Sequence, residues 1–237
     1  MARKPRFNLV GVPQHVIQRG NNREPCFYVE EDYQYYLDCV EVYAKKYNCL
    51  IHAFVLMTNH VHMLVTPQQE FAVSQMMQSV GAKYARYINS TYKRTGTLWE
   101  GRFKSSLVDT NNYFLVCMCY IELNPVRAGM TELPAEYKWS SYHANAYGNN
   151  LNFITHHPVY MNLADEREER LYLYRELFSS AINYDQLHDI RAALNQELVL
   201  GGSRFKEQIE TMTQRRVELG KPGRPKVREL EGCYYVY

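Results

Sequence analysis

Alternation and helical periodicity divide the first half of the chain into short strands and longer helices. The stretch "HVIQRG", residues 15–20, has β-type residues followed by the turn-prone "GNN", which predicts a first strand ending near Arg19. Through "EEDYQYYLDCVEVYAKKYN", apolar or aromatic residues fall at 33, 36, 37, 40, 44 and 47, acids lead and lysines trail. The 3.6-residue period and the helix dipole therefore agree on a helix. "CLIHAFVLM" and "HVHMLVTP" predict two strands joined by the tight turn "TN", in which Asn59 tolerates left-handed backbone angles. Residues 71–94 give a second helix, with Val73, Met76, Met77, Val80, Tyr84, Tyr87, Ile88 and Tyr92 on or near one face. "GTLWEGRFKSSLVDT" breaks that period and predicts a hairpin or bulged strand pair. "NNYFLVCMCYIELNP" predicts a third helix, capped at Asn111 or Asn112 and stopped by Pro125 near Asn124. The order β, α, β, β, α, β, α implies an α+β fold, an antiparallel sheet with helices packed on it.

From about residue 150 the pattern becomes helical and charged, as in "LADEREERLYLYRELFSSAI", "YDQLHDIRAALNQEL" and "SRFKEQIETMTQRRVEL". The expected organisation is a domain over 1–149, a helical auxiliary domain over 150–219 and a basic, Pro/Gly-containing tail over 220–237.

Composition adds limits. At 237 residues and 46% hydrophobic, the chain can bury a large core. It has no uncharged apolar run of about 18 residues and no apolar N-terminal segment with a small-residue cleavage site, so a cytoplasmic protein that does not meet the membrane is expected. Its six cysteines, Cys26, Cys39, Cys49, Cys117, Cys119 and Cys233, form no CxxC pair and no repeated spacing, which excludes a zinc ribbon or disulfide framework and predicts reduced, buried thiols. The formal net charge of +2 is too small to identify a nucleic-acid partner, but residues 201–228 hold eight basic side chains against three acidic ones.

The chemistry lies in "FVLMTNHVHMLV", residues 54–65. Alternate residues of a strand share a face, so His60 and His62 can converge on one metal ion while Val61 points into the other layer. At the start of the strand the two rings are expected near water rather than in mid-sheet. A bare HxH is more often two satisfied structural histidines, so something must complete the site. "YIELN" offers Tyr120 and Asn124 four residues apart on one helical face. Two imidazoles and the Asn124 amide oxygen make a neutral site with open positions, suited to Mg²⁺ or Mn²⁺. Beside such an ion Tyr120 could attack a phosphodiester, although among 21 tyrosines a helical tyrosine is usually core.

Four motifs in order, "MTNHVHMLV", "GTLWEGRFKSSLV", "YIELNPVRAGM" and "WSSYHANAYG", resemble the REP-associated tyrosine transposases of the single-tyrosine His-hydrophobic-His endonuclease superfamily, over about residues 8–148. The resemblance implies a ferredoxin-like catalytic domain acting on single-stranded DNA that carries a palindromic hairpin with an adjacent short recognition sequence. It places His60 and His62 on the metal-binding pair, Tyr120 on the nucleophile that forms a 5'-phosphotyrosine, and Asn124 on the third ligand. Thr58 stands where many relatives have proline, and Cys119 replaces a commonly basic residue. Relatives include monomers and domain-swapped homodimers, so both stay open.

For DNA contacts, "QRGNNR" offers Arg19, Asn21, Asn22 and Arg23 to unpaired bases and phosphates. Lys83, Arg86, Lys93 and Arg94 could neutralise hairpin phosphates, and Arg102, Lys104 and Arg127 could grip the strand near the cut; a solvated surface is the bland alternative for the helical group. Trp99 could stack on a base but fits a core role better. "PGRPK" in the tail is similar to minor-groove hooks. Two other functions stay in view: a non-catalytic regulatory protein that binds repeat hairpins, and a metal phosphodiesterase using water.

Overall fold

The computed structural model describes residues 6–179 and 184–217. Five strands, β1 (Gln14–Arg19), β2 (Cys49–Met57), β3 (His60–Pro67), β4 (Lys104–Val108) and β5 (Val199–Leu200), form one sheet in the order β2-β3-β1-β4-β5. The first three pairings in that order, β2 with β3, β3 with β1 and β1 with β4, are antiparallel, and β5 joins β4 in parallel. With α1 (Glu30–Lys46) and α2 (Ala72–Thr91) as crossovers, β1 to β4 make the βαββαβ arrangement of ferredoxin-like folds, which is the α+β architecture expected.

The sheet is covered on both faces. On one side α1 and α2 pack against Phe54, Leu56, Val61, Met63 and Val65. Asp32 secures α1: its Oδ2 accepts from the backbone N–H of Tyr28 (2.8 Å) and Val29 (3.2 Å) and from the Tyr92 hydroxyl (2.8 Å). Trp99 belongs to this side, 8% exposed and donating from Nε1 to the Gly81 carbonyl at 3.0 Å, so its role is in the core. On the other side α3 (Phe114–Glu122) packs against Ala53, Val55, Met57 and Leu64. Around it stand α4 (Asn124–Arg127), α5 (Tyr142–Tyr147), α6 (Pro158–Met161), α7 (Arg167–Ser179) and α8 (Tyr184–Gln196), followed after β5 by α9 (Ser203–Thr213).

Residues on both sides of position 150 share this second core, Tyr160, Tyr174 and Ile190 lying with Phe114 and Tyr142. The join centres on Glu122, which is fully buried. Its carboxylate accepts from Ser141 Oγ (2.5 Å), Asn145 Nδ2 (2.8 Å) and Tyr174 Oη (2.8 Å), tying α3 to α5 and α7.

The structure corrects several expectations. "GTLWEGRFKSSLVDT" contains one strand, β4; Trp99 adds only an isolated bridge to Gly20, because its ring is drawn into the α1–α2 layer. The third helix ends at Glu122, close to the expected stop, but Pro125 then opens a further short helix that was not expected. The proline sits in the first turn of α4, where a missing N–H is tolerated, and Asn124 Nδ2 takes the Ile121 carbonyl at 3.2 Å that Pro125 cannot. The region after 150 is not wholly helical, since β5 falls within it. Asn59 is not left-handed; its side chain does the work of the turn instead. Cys26, Cys39, Cys49, Cys117 and Cys119 are free and buried, whereas Cys233 and the 220–237 tail lie outside the described residues.

Burial raises the Glu122 carboxyl from 4.5 to about 7, against the three donated hydrogen bonds. Folding therefore favours the protonated acid: this contribution to stability is complete below pH 4.5 and is lost as pH rises through about 7. The melting temperature should fall between pH 5.5 and 8, and Glu122→Gln should flatten that fall; parallel curves for the two proteins would contradict it. Glu122→Ala, which strands three buried donors, should cost about 3 kcal/mol or more in denaturant titration.

Candidate active site

The pleat of β3 sends His60 and His62 to the α3 side and Val61 and Met63 to the α1–α2 side. β1 lies beside it with Arg19 opposite His60, Ile17 opposite His62 and His15 opposite Leu64. His62 is not at a watery strand end. β3 is an inner strand, and His62 is 3% exposed. Its Nδ1 lies 2.8 Å from Nε2 of His15, a fully buried residue of β1. His60, less buried, has Nδ1 at 2.6 Å from Asn59 Oδ1. The Asn59 amide is oriented by donating from Nδ2 to the Arg23 carbonyl at 2.8 Å, so the atom facing His60 is an acceptor. Nδ1 of His60 must then carry the proton, leaving the Nε2 lone pair available.

Desolvation lowers His60 to about 4, helped by Arg19, and His15 to about 3, helped by Arg127. It lowers His62 well below its ordinary value, with His15, His60, Arg127 and Arg19 adding in the same direction. All three rings are neutral at physiological pH, the state a metal ligand requires.

Tyr120 of α3 is 6% exposed, with its ring centroid 6.1 Å from His62 and 5.7 Å from His15. Arg127 holds it in two ways. The guanidinium carbon sits 4.1 Å from the ring centroid, and Nη2 donates to the Tyr120 carbonyl at 2.7 Å. Desolvation lowers Arg127 to about 10, so it is still a cation at neutral pH. Asn124 Nδ2 also donates to the Tyr120 carbonyl, at 3.2 Å, which leaves Oδ1 without a hydrogen bond among the described residues. Lacking an N–H at residue 125, the helix draws the Asn124 amide nitrogen back onto its own carbonyls.

These atoms fit a divalent cation. Two neutral imidazoles, 5.0 Å between ring centroids, each have Nδ1 engaged by a neighbour, the arrangement that fixes metal-binding histidines through Nε2. The uncommitted Oδ1 of Asn124 is the oxygen donor that Mg²⁺ or Mn²⁺ favours. Among the described residues no three His, Cys, Asp or Glu side chains cluster as a metal site.

The predicted DNA contacts separate into two groups. Arg19 stands opposite His60, Arg23 is bonded to Asn59, and Asn21 and Asn22 continue from the end of β1. Arg102 and Lys104 line a cleft with Arg19, and Arg127 touches Tyr120. Lys83 and Arg86 lie on α2, across the sheet from Tyr120. Lys93 and Arg94 follow that helix, with Arg94 donating to the Tyr28 hydroxyl at 3.0 Å. The structure does not bring those four to the histidines. Cys119 is buried and its thiol is pushed up by desolvation, which suits packing.

Two residues were missed from the sequence. Asn59 carried a signal, a side-chain acceptor immediately before the HxH, but was read only as a turn residue. His15 carried almost none, because its relation to His62 arises from strand pairing across 47 positions.

Comparison with known proteins places this geometry. A solved REP-associated tyrosine transposase bound to a REP hairpin is similar in fold, with a TM-score of 0.55 at 17% identity over 67% of this chain and 93% of that one. A candidate transposase from Deinococcus radiodurans R1 aligns with a TM-score of 0.35 at 19% identity, over 56% of this chain and 92% of the other. Among curated proteins none matches this chain. The family model described as "Transposase IS200 like" matches residues 9–124, a span that contains His60, His62, Tyr120 and Asn124. Over that segment, just under half of its length, the chain is similar to the IS200-like transposases.

Proposed function

We propose that this protein is a metal-dependent, single-tyrosine DNA endonuclease and strand transferase of the REP-associated kind. It binds single-stranded DNA that folds into a repeat hairpin with a short recognition sequence beside it. The observation that carries this reading is the convergence of His60, His62, Tyr120 and Arg127 on one face of the sheet. The hairpin in the solved relative lends the substrate class.

In this reading the Tyr120 hydroxyl oxygen attacks the scissile phosphorus and gives up its proton to solvent. A bond forms between that oxygen and the 5'-phosphate; the bond from phosphorus to the 3'-oxygen breaks, and the departing oxygen takes up a proton. One phosphodiester replaces another, so a 3'-hydroxyl can reverse the step on a second strand without ATP. His60, His62 and Asn124 would hold Mg²⁺ or Mn²⁺, which polarises the phosphate when bound. Arg127 keeps the Tyr120 ring from turning and lays a positive charge beside the developing charge on phosphorus. His15 orients His62 by accepting from its Nδ1, so that Nε2 faces the ligand. Arg19, Asn21, Asn22, Arg23, Arg102 and Lys104 grip the unpaired strand. Lys83, Arg86, Lys93 and Arg94 reach only a duplex that passes round the sheet.

Incubation of labelled hairpin oligonucleotide with Mn²⁺ should give a denaturation-resistant protein–DNA adduct, absent in Tyr120→Phe and reduced about 100-fold or more in His60→Ala or His62→Ala. Failure of the wild type to cleave would leave the regulatory DNA-binding function; cleavage that survives Tyr120→Phe without an adduct would make water the nucleophile. His15→Ala should weaken Mn²⁺ binding about 10- to 100-fold in a titration followed by electron paramagnetic resonance, while folding is retained. Unchanged affinity would reduce His15 to a packing residue. Hairpin binding should weaken steeply between 50 and 200 mM salt, roughly 10³-fold if six or more phosphates are neutralised; a flat response would remove the basic contacts from the scheme.

A further inference from the structure

The polar chain behind His62 does not end at His15. Nδ1 of His62 and Nε2 of His15 are 2.8 Å apart, so one proton lies between the two rings. An ion on Nε2 of His62 would leave that proton on His62 Nδ1. Nε2 of His15 is then the acceptor, and the single proton of the neutral His15 ring sits on its own Nδ1. That atom belongs to a fully buried side chain and has no hydrogen-bond partner among the described residues. A buried donor left in this state is costly, and few occur in native interiors.

The sheet register shows which group can take the proton. β1 lies between β3 and β4, and His15 stands opposite Leu64 on one side and Ser106 on the other. Residues directly opposed in an antiparallel pair project to the same face, with Cβ atoms about 4.5–5.5 Å apart. Leu64 is hydrocarbon. Ser106 carries a hydroxyl, is 1% exposed, and its Oγ is likewise buried with no partner among the described residues. Another staggered rotamer of the serine, or one water, spans the remaining gap. Arg127, over the neighbouring Tyr120 ring, cannot substitute, because a guanidinium only donates. Ser105 cannot either: it pairs with Val16, whose side chain lies in the α1–α2 layer, so its own side chain is on the far face.

We propose that Ser106 is a positioning residue for the metal site, its hydroxyl accepting the Nδ1 proton of His15 and so holding His62 in the tautomer whose Nε2 is free for the ion. The proposal rests on the metal-dependent reading above and deepens it. The relay runs Ser106, His15, His62 across three adjacent strands, β4, β1 and β3. A hydroxyl suits its outer end, since it is small enough to be buried between strands and can accept.

The test titrates Mn²⁺ into the full chain, followed by electron paramagnetic resonance. Ser106→Ala should weaken binding about 10-fold, whereas Ser106→Thr, which keeps the hydroxyl on a strand-favouring residue, and Ser105→Ala should stay within about twofold. In a His15→Ala background, Ser106→Ala should add less than about twofold, because its partner is already gone. Nitrogen NMR of the histidine rings in metal-free protein gives a second readout: the His15 Nδ1 resonance should move in Ser106→Ala and return in Ser106→Thr. An unmoved His15 resonance overturns the proposal, and so does an affinity unchanged by Ser106→Ala. A loss of equal size in both backgrounds, or one matched by Ser105→Ala, would be a packing effect and overturns it too. If the wild type takes up no Mn²⁺ while His15 responds to Ser106→Ala, the metal reading falls and the hydrogen bond between the two residues stands.

Discussion

Everything at the site depends on the register between β1 and β3. Because successive residues of a strand alternate between faces, a slip of one position would turn His60 and His62 into the apolar layer under α1 and α2 and bring Val61 and Met63 to Tyr120. The register is held at both ends and from both faces. Val16 and Val61 lie in one core, Leu64 in the other, and Asn59 and Gly20 are joined by a 2.8 Å backbone hydrogen bond at the turn. With that pairing set, one strand supplies Arg19 and His15 beside the two histidines of the next, and no further loop is needed to assemble them.

The helix that supplies Tyr120 is fixed from behind. Glu122 points away from the sheet's histidines into a cage of donors from Ser141, Asn145 and Tyr174, while Arg127 and Asn124 fasten the Tyr120 carbonyl in front. A buried carboxyl with three neutral donors is expensive to form and costly to disturb, and it serves to hold the residues after 140 against α3. The later helices are therefore part of the same packing problem as Tyr120.

Much of this was legible in the sequence, and the exceptions have physical causes. β2 and β3 could be read to the residue because period-two alternation and a two-residue turn are local signals, and α1 because acids, apolar stripe and lysines agree. His60, His62, Tyr120 and Asn124 were legible as spaced motifs. Trp99 misled because an aromatic in a glycine-rich stretch looks like strand, whereas its indole is claimed by the Gly81 carbonyl on α2. The short helix opened by Pro125 was not legible, because the proline's missing N–H is replaced by a side chain one residue earlier. His15 depends on a pairing 47 positions away, and no window along the chain contains both partners.

Among the described residues the sheet's two margins are also partly covered. On the β2 side, Leu56 and Phe54 bond to Trp139 and Ser141, and Ile51 to Thr155; on the β4 side the two residues of β5 occupy the edge. A margin covered in this way offers a shorter template on which another chain could add a strand, which disfavours growth into fibres through strand edges. If the proposed function holds, covered margins would also keep backbone donors and acceptors out of competition with a nucleic-acid strand laid across one face.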